Sequence, residues 1–324
     1  MRVWPVLVLC CLPGVATAQE DDRGYLTALL EDNLSGAGRA VVITGFEGAL
    51  SSRASIARLT IADEAGVWIT LEGVVLDWSR SALLRGVVDV SELSAQRIVL
   101  ERMPEAGESG PSAEAGTFAL PELPVSVSIG RLAADRIVLG EAVLGEALEG
   151  RLEASASLSG GEGAVDVALE RVDGGPAGKL DLTASFANAT GQLVVDLLAE
   201  EAAGGIAVRK LGIPGAPSAR LAVQGAGPVT DFVATVGLRT DGQERLAGTV
   251  ELLGAEDGTR GFAVDLAGDL APLWVPEYAA FFGDRIALRA AGDTSPEGVV
   301  RLRDFSVDAR AVDLSGGIDR KSVG

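Results

Sequence analysis

The chain has 324 residues, 48% of them hydrophobic but only 4% aromatic, and a formal net charge of −19 on a mean hydropathy of +0.30. Apolar and acidic residues interleaved to that degree suit strands with one dry and one wet face, and the apolar fraction is enough for one large or two ordinary domains. The acidity argues against nucleic acid and against adhesion to anionic headgroups, since both need clusters of Lys and Arg; the only lysines, Lys179, Lys210 and Lys321, lie far apart.

At the N-terminus Arg2 precedes an apolar run from Val3 to Ala18, and Ala16-Thr17-Ala18 ahead of Gln19-Glu20-Asp21-Asp22 is a small-residue cleavage pattern. The run is about sixteen residues long and contains Pro5, Pro13 and Gly14, short of the roughly twenty residues that a membrane span needs. Residues 1–18 therefore read as a signal peptide, with an uncleaved N-terminal anchor as the alternative. Cys10 and Cys11, the only cysteines, lie inside this segment, so a cleaved chain has neither a disulfide nor a thiol site. Tyr25, Leu26, Leu29, Leu30 and Leu34 have helical spacing and predict a short helix with one apolar face.

The densest strand signal runs from Ala49 to Arg102, within a first β block that occupies residues 19–102 together with the helix. Val67, Ile69 and Leu71 alternate with Trp68, Thr70 and Glu72; beyond Gly73 the apolar positions become Val74, Leu76 and Trp78. Gly73 is thus expected to be a bulge at which the strand exchanges its faces. Ser81 to Arg85 predicts a turn, followed by two short strands at 87–91 and 97–102.

This block carries a resemblance. The order EGALSSRASI, LTIADEAGVW, LDWSRSALLRG and LSAQRI, from Glu47 through Ile98, is similar to the N-terminal region of the TamB family of Gram-negative envelope proteins, within the AsmA-like, bridge-like lipid transfer group. The resemblance implies a non-enzymatic protein held at the periplasmic side of the inner membrane. It also implies a β-structured groove across the periplasm, a TamA-like outer-membrane barrel as partner, and a role in phospholipid transport or in the assembly and secretion of outer-membrane proteins such as autotransporters.

Residues 103–124 contain PEAGESGPSAEAG, which has almost no apolar side chain to bury, and read as a flexible, tolerated loop. Residues 125–317 form a succession of alternating runs divided by glycine-rich turns, spaced as in an antiparallel meander. Their recurrence is one of pattern rather than of letters. Asn188-Ala189-Thr190 is formally a glycosylation acceptor, but as a hairpin turn it needs no such explanation. Leu270 to Gly283 interrupts the rhythm with Trp274, Tyr278, Phe281 and Phe282 and predicts a short helix near 274–282; its string PEYAAFFG extends the resemblance. Residues 318–324 are expected to be a non-native or truncated end, because the chain stops without the C-terminal region that TamB-like proteins carry.

There is no histidine, so Ser-His-Asp catalysis, His-ligated metals and His proton relays are absent. No nucleotide-binding fingerprint follows a strand, and no catalytic, cofactor or metal residue is assigned. The fold expected is all-β: about twenty short strands in an elongated, twisted, mainly antiparallel sheet, curled into a taco-like hydrophobic groove with short capping helices. Ile69, Leu71, Leu76, Val127, Leu182, Phe186, Val195, Val236 and Phe262 are the expected lining for phospholipid acyl chains. The same alternation also suits a chaperone that offers sheet edges to client strands, or a secreted β-sandwich adhesin whose apolar face is a closed core.

Overall fold

The computed structural model describes residues 40–48, 53–104, 119–254, 259–274, 283–294 and 300–320. These build one open sheet of sixteen strands whose spatial order is their sequence order. The strands are β1 (Ala40–Gly48), β2 (Arg53–Asp63), β3 (Gly66–Ser79), β4 (Val87–Leu100), β5 (Ser126–Leu139), β6 (Leu148–Ser159), β7 (Glu162–Arg171) and β8 (Gly178–Ala187). They continue as β9 (Gln192–Glu201), β10 (Ala219–Pro228), β11 (Asp231–Thr240), β12 (Gln243–Gly254), β13 (Arg260–Gly268), β14 (Ile286–Thr294), β15 (Val300–Ala309) and β16 (Val312–Arg320). The all-β, mainly antiparallel sheet expected from the alternation is the fold observed. Two of the expected short strands, 87–91 and 97–102, are one continuous strand, β4.

The exchange of faces at Gly73 involves more than one strand. Gly73 has φ +61°, a left-handed conformation that glycine adopts without penalty, and the apolar positions of β3 change parity there. Its neighbours change with it: Val41 and Ile43 give way to Phe46 across Gly45 in β1, and Ile56 gives way to Leu59 in β2. Gly73 is not the bulge expected, because the register runs through it without a shift: Glu72 faces Arg58 while Val74 faces Ile56, and Glu72 faces Arg97 while Val75 faces Ser94. Adjacent strands change together, so the apolar face stays continuous. Val41, Ile43, Phe46 and Ala54 form its best-buried cluster, backed by Ile56, Leu59 and Ile61.

One pairing departs from the meander. β4 and β5 are parallel, and each residue of β4 faces the residue thirty-nine positions later, from Val88 opposite Val127 to Leu100 opposite Leu139. In those strands VDVSELSAQRIVL (88–100) lies against VSIGRLAADRIVL (127–139), so this part of the chain does repeat in letters and stacks its two copies side by side. Parallel neighbours require a crossover from the end of one strand to the start of the next, of about a dozen residues or more. Residues 101–125 are that crossover. The stretch expected to be a flexible loop, 103–124, falls within this crossover, and residues 105–118 lie outside the described residues.

Among the described residues three short helices occupy strand connections: α1 (Arg80–Leu83), α2 (Glu141–Leu144) and α3 (Ile206–Lys210). A 3₁₀ turn spans Ala271–Leu273, and Trp274 follows it in extended conformation. The helix expected at 25–34, residues 275–282 of the helix expected at 274–282, and the 1–18 signal lie outside the described residues. β16 runs to Arg320, so strand pairing includes residues 318–320 of the expected non-native end.

Candidate functional site

Tracing register partners from strand to strand shows how the apolar side chains combine. One row passes through Gly48, Ala54, Leu76, Leu93, Leu132, Ala154, Val167 and Leu182, then Leu197, Val223, Val236, Gly248, Leu266, Leu288, Val307 and Leu314. It crosses all sixteen strands without a polar residue. At about 4.8 Å per strand the row is roughly 70 Å long. A second row runs beside it from Trp78 through Val90, Ile129, Ala156, Val165, Ala184 and Val195 to Gly225, Ala234, Val250, Val264, Ala290, Phe305 and Gly316.

All nine lining residues expected from sequence fall on this face. Leu76, Leu182 and Val236 lie in the first row and Val195 in the second. Phe186, Val127 and Phe262 lie in a third row, through Val127–Leu158, Gly163–Phe186 and Leu252–Phe262. Ile69 and Leu71 face Leu100 and Ile98 nearer the opposite strand ends. Phe186 is buried and the other eight are half-buried, which leaves apolar surface still in contact with solvent. The aromatic rings stay low on the face. Phe232 Cζ lies 2.6 Å from where a Cβ on Gly225 would sit, and Phe262 Cζ 2.7 Å from the same point on Gly292. Ring over glycine fills the notch and keeps the rows smooth.

The other face is a polar ladder. Ser155, Asp166, Thr183, Asp196 and Gln224 are successive register partners. Thr183 Oγ1 donates to Asp166 at 2.8 Å, and Gln224 Nε2 donates to Asp196 at 3.1 Å. Farther along, Arg289 Nε donates to Asp265 at 3.2 Å. Pairs so exposed add little stability; they keep this face wet and so set which side of the sheet is dry.

At one end of the apolar face the sheet is roofed. The connection between β9 and β10 carries α3, whose Val208 is 1% exposed. Glu201, the last residue of β9, accepts the backbone N–H groups of Ile206, Ala207 and Val208, so the helix start is held to the strand end. Arg209 pairs with Glu146 of the β5–β6 connection, which depresses the Glu146 pKa through that hydrogen bond. Between roof and sheet lies a cavity of about 400 Å³. Its apolar lining includes Leu148, Leu169, Leu180, Leu221 and Leu238 from the sheet, with Ile206, Val208, Leu211 and Ile213 from the roof. That volume lies within the roughly 300–1,000 Å³ range of small-molecule pockets.

Two cations lie in this wall, Lys179, which pairs with Asp181, and Arg171. Arg171 ends β7 two residues beyond Leu169, faces Gly150 and lines the cavity, with a side chain only 10% exposed. Its Nε donates to Asp173 at 2.7 Å. Asp173 also accepts the N–H groups of Glu149 at 2.9 Å and Gly175 at 2.6 Å. The Arg171 hydrogen bond, aided by these two, holds the Asp173 carboxyl down to about 2. Arg171 Nη1 is buried and meets no acceptor among the described residues. A sequence reading that follows apolar positions alone misses Arg171. Its place on the dry face is nonetheless legible in the period-2 series Val165, Val167, Leu169, Arg171. The roof carries no such signal.

Among the described residues no group of three or more His, Cys, Asp or Glu is placed to hold a metal ion, and no helix is long and apolar enough to cross a membrane. No family model, no curated protein and no solved structure matches the chain.

Proposed function

We propose that the apolar face carries acyl chains, and that the protein is a non-enzymatic envelope-biogenesis component that works as a lipid conduit. The observation behind this reading is the unbroken row of apolar and glycine positions across sixteen strands, most of them half-buried. Full burial of a Val, Leu, Ile or Phe side chain is worth about 1.5–3 kcal/mol, so a face of this length gains much from a long apolar ligand. A phospholipid chain laid across the strands supplies that surface without requiring a specific contact at any one position. The polar ladder on the opposite face suits an aqueous compartment.

The resemblance of residues 47–98 to the TamB family supports an envelope setting for this reading. On it, the chain is exported, sits at the periplasmic side of a Gram-negative inner membrane, and meets a TamA-like outer-membrane barrel. A photo-crosslinking residue at Phe186 or Val236, in cells, is expected to capture phospholipid. Capture only of other segments of the same chain would mean that the face is a closed core, as in a β-sandwich, and would end the conduit reading.

A further inference from the structure

The connection between β3 and β4 is unlike the other turns at its end of the sheet. Those between β6 and β7, β8 and β9, and β10 and β11 are Gly160-Gly161, Asn188 to Gly191 and Val229-Thr230, and they carry no charge. Residues 80–86 instead set two leucines between two arginines: Arg80, Leu83, Leu84 and Arg85 are all exposed, Leu84 to 92%. The turn is fixed by its own bonds. Ala82 is fully buried, the Arg85 N–H donates to the Ala82 carbonyl and the Gly86 N–H to that of Leu83, each at 2.9 Å, and Gly86 at φ +72° lets the chain turn into β4. The crossover returns to the sheet at the same place, where the Ser126 N–H donates to the Gly86 carbonyl at 2.9 Å, and it carries a third exposed leucine, Leu123. Neither Arg80 nor Arg85 has an acidic partner among the described residues.

We infer that this tip docks on the surface of an anionic bilayer, with Leu83 and Leu84 at the boundary between headgroups and acyl chains and Arg80 and Arg85 against the lipid phosphates. The inference goes beyond the conduit reading and does not rest on it. The size and chemistry of the patch favour a bilayer over a protein. A stable protein interface takes roughly 800 Å² from each partner and is anchored by aromatic residues, which three leucines cannot supply, whereas a bilayer surface needs only a few apolar side chains with cations at headgroup level. The net charge of −19 opposes adhesion over the surface at large, but at physiological salt charges act over only about 8 Å, and both charges within the turn are positive. Of the acids nearest in the fold, Asp77 pairs with Arg53 at 3.5 Å, which leaves Asp89 and Glu122 to oppose the two arginines; acidic surroundings confine the contact to the tip. Leu211, 75% exposed beside Lys210, is the rival at the opposite strand ends. It is a single leucine, and its neighbour Arg209 is taken by Glu146.

The test adds the full chain to vesicles of phosphatidylethanolamine with phosphatidylglycerol, and to vesicles of phosphatidylcholine alone, and reads binding by flotation and amide hydrogen exchange by mass spectrometry. The unmodified protein is expected to bind the anionic vesicles more tightly, with slower exchange at residues 81–86. Binding should fall at least about fivefold in Arg80→Gln with Arg85→Gln, and as much in Leu83→Ser with Leu84→Ser, while Leu211→Ser changes nothing. Because every substituted side chain is exposed, the fold should survive; exchange in the unmodified protein decides without any substitution. No binding, binding that both double variants retain, exchange at 81–86 indifferent to vesicles, or loss in Leu211→Ser alone would each overturn the docking point. Slower exchange at 81–86 on raising the protein concentration without vesicles would make the tip a contact between copies and overturn it too. Lipid capture at Phe186 or Val236 reports separately on the conduit: its failure beside intact vesicle binding would remove that reading and leave this one standing.

Discussion

Asn188 and Leu120, sixty-eight residues apart, hold each other by a reciprocal pair: Asn188 Nδ2 donates to the Leu120 carbonyl at 2.8 Å, and the Leu120 N–H donates to Asn188 Oδ1 at 2.8 Å. A side-chain amide here stands in for a strand edge, and it fastens the last part of the crossover to the hairpin turn between β8 and β9. The Leu120 side chain lies over Gly163, with Cδ1 2.7 Å from where a Cβ would be. The same amide nitrogen is the one that glycosylation would consume. Asn188→Ala removes both bonds and is expected to cost about 1–2 kcal/mol in urea unfolding, with faster hydrogen exchange at the Leu120 amide. Unchanged exchange there would show that the crossover is held by something else.

The coordinated change of faces in β1–β4 depends on two glycines. An added Cβ at Gly45 would lie 2.6 Å from Ala57 Cβ at φ +68°, and one at Gly73 would lie 2.6 Å from Gln96 Cδ at φ +61°. The long Gln96 side chain can swing away; the Ala57 Cβ, fixed to its backbone, cannot. Gly45→Ala is therefore expected to destabilise by about 1–3 kcal/mol, and Gly73→Ala by about 1 kcal/mol. Gly237→Ala, where no atom lies within 4 Å, is the control and is expected to stay within about 0.5 kcal/mol of the unmodified protein in chemical denaturation.

Val195→Asp places a charge in the second apolar row, between Ala184 and Gly225. Its half-exposed position lets the carboxylate reach water, so the circular dichroism spectrum should be preserved. Lipid captured from a crosslinker at Phe186 or Val236 should fall several-fold, since an acyl chain would have to cross an unpaired charge. Asp196→Val alters the wet face next door and loses the Gln224 bond; it should leave lipid capture unchanged. Equal loss in both variants would show that capture reports stability rather than a path.

Asp173 supplies a pH dependence of known sign. Its folded-state pKa is depressed from 3.8 to about 2, so the ionised form is the one the fold favours. The stabilisation is fully present above the unfolded value and disappears as pH falls from about 4 through about 2. Asp173→Asn is expected to cost about 1 kcal/mol at pH 7, once solvent screening is allowed for. Urea midpoints of variant and unmodified protein should converge toward pH 2. A gap that stays constant from pH 7 to pH 2 would mean that the charge of Asp173 contributes nothing.

Alternation by itself determined the strands, the two unlike faces and the common side of all nine lining residues from Ile69 to Phe262, because side-chain direction in a strand is a local, period-2 property. It also located the parity change at Gly73. Which strands pair, and in which direction, depends on contacts between distant segments that no local period records. Hence the parallel β4–β5 pair, with its thirty-nine-residue repeat, needed the tertiary structure, and only that pairing makes residues 101–125 a crossover between parallel neighbours. The cavity has the same origin. Arg171, Glu201 and Val208 belong to three separate segments, and nothing in any one of them foretells that a five-residue helix will fold back over the strand ends and bury a guanidinium. Apolar surface is specified residue by residue; the enclosure of part of it is decided by the connections.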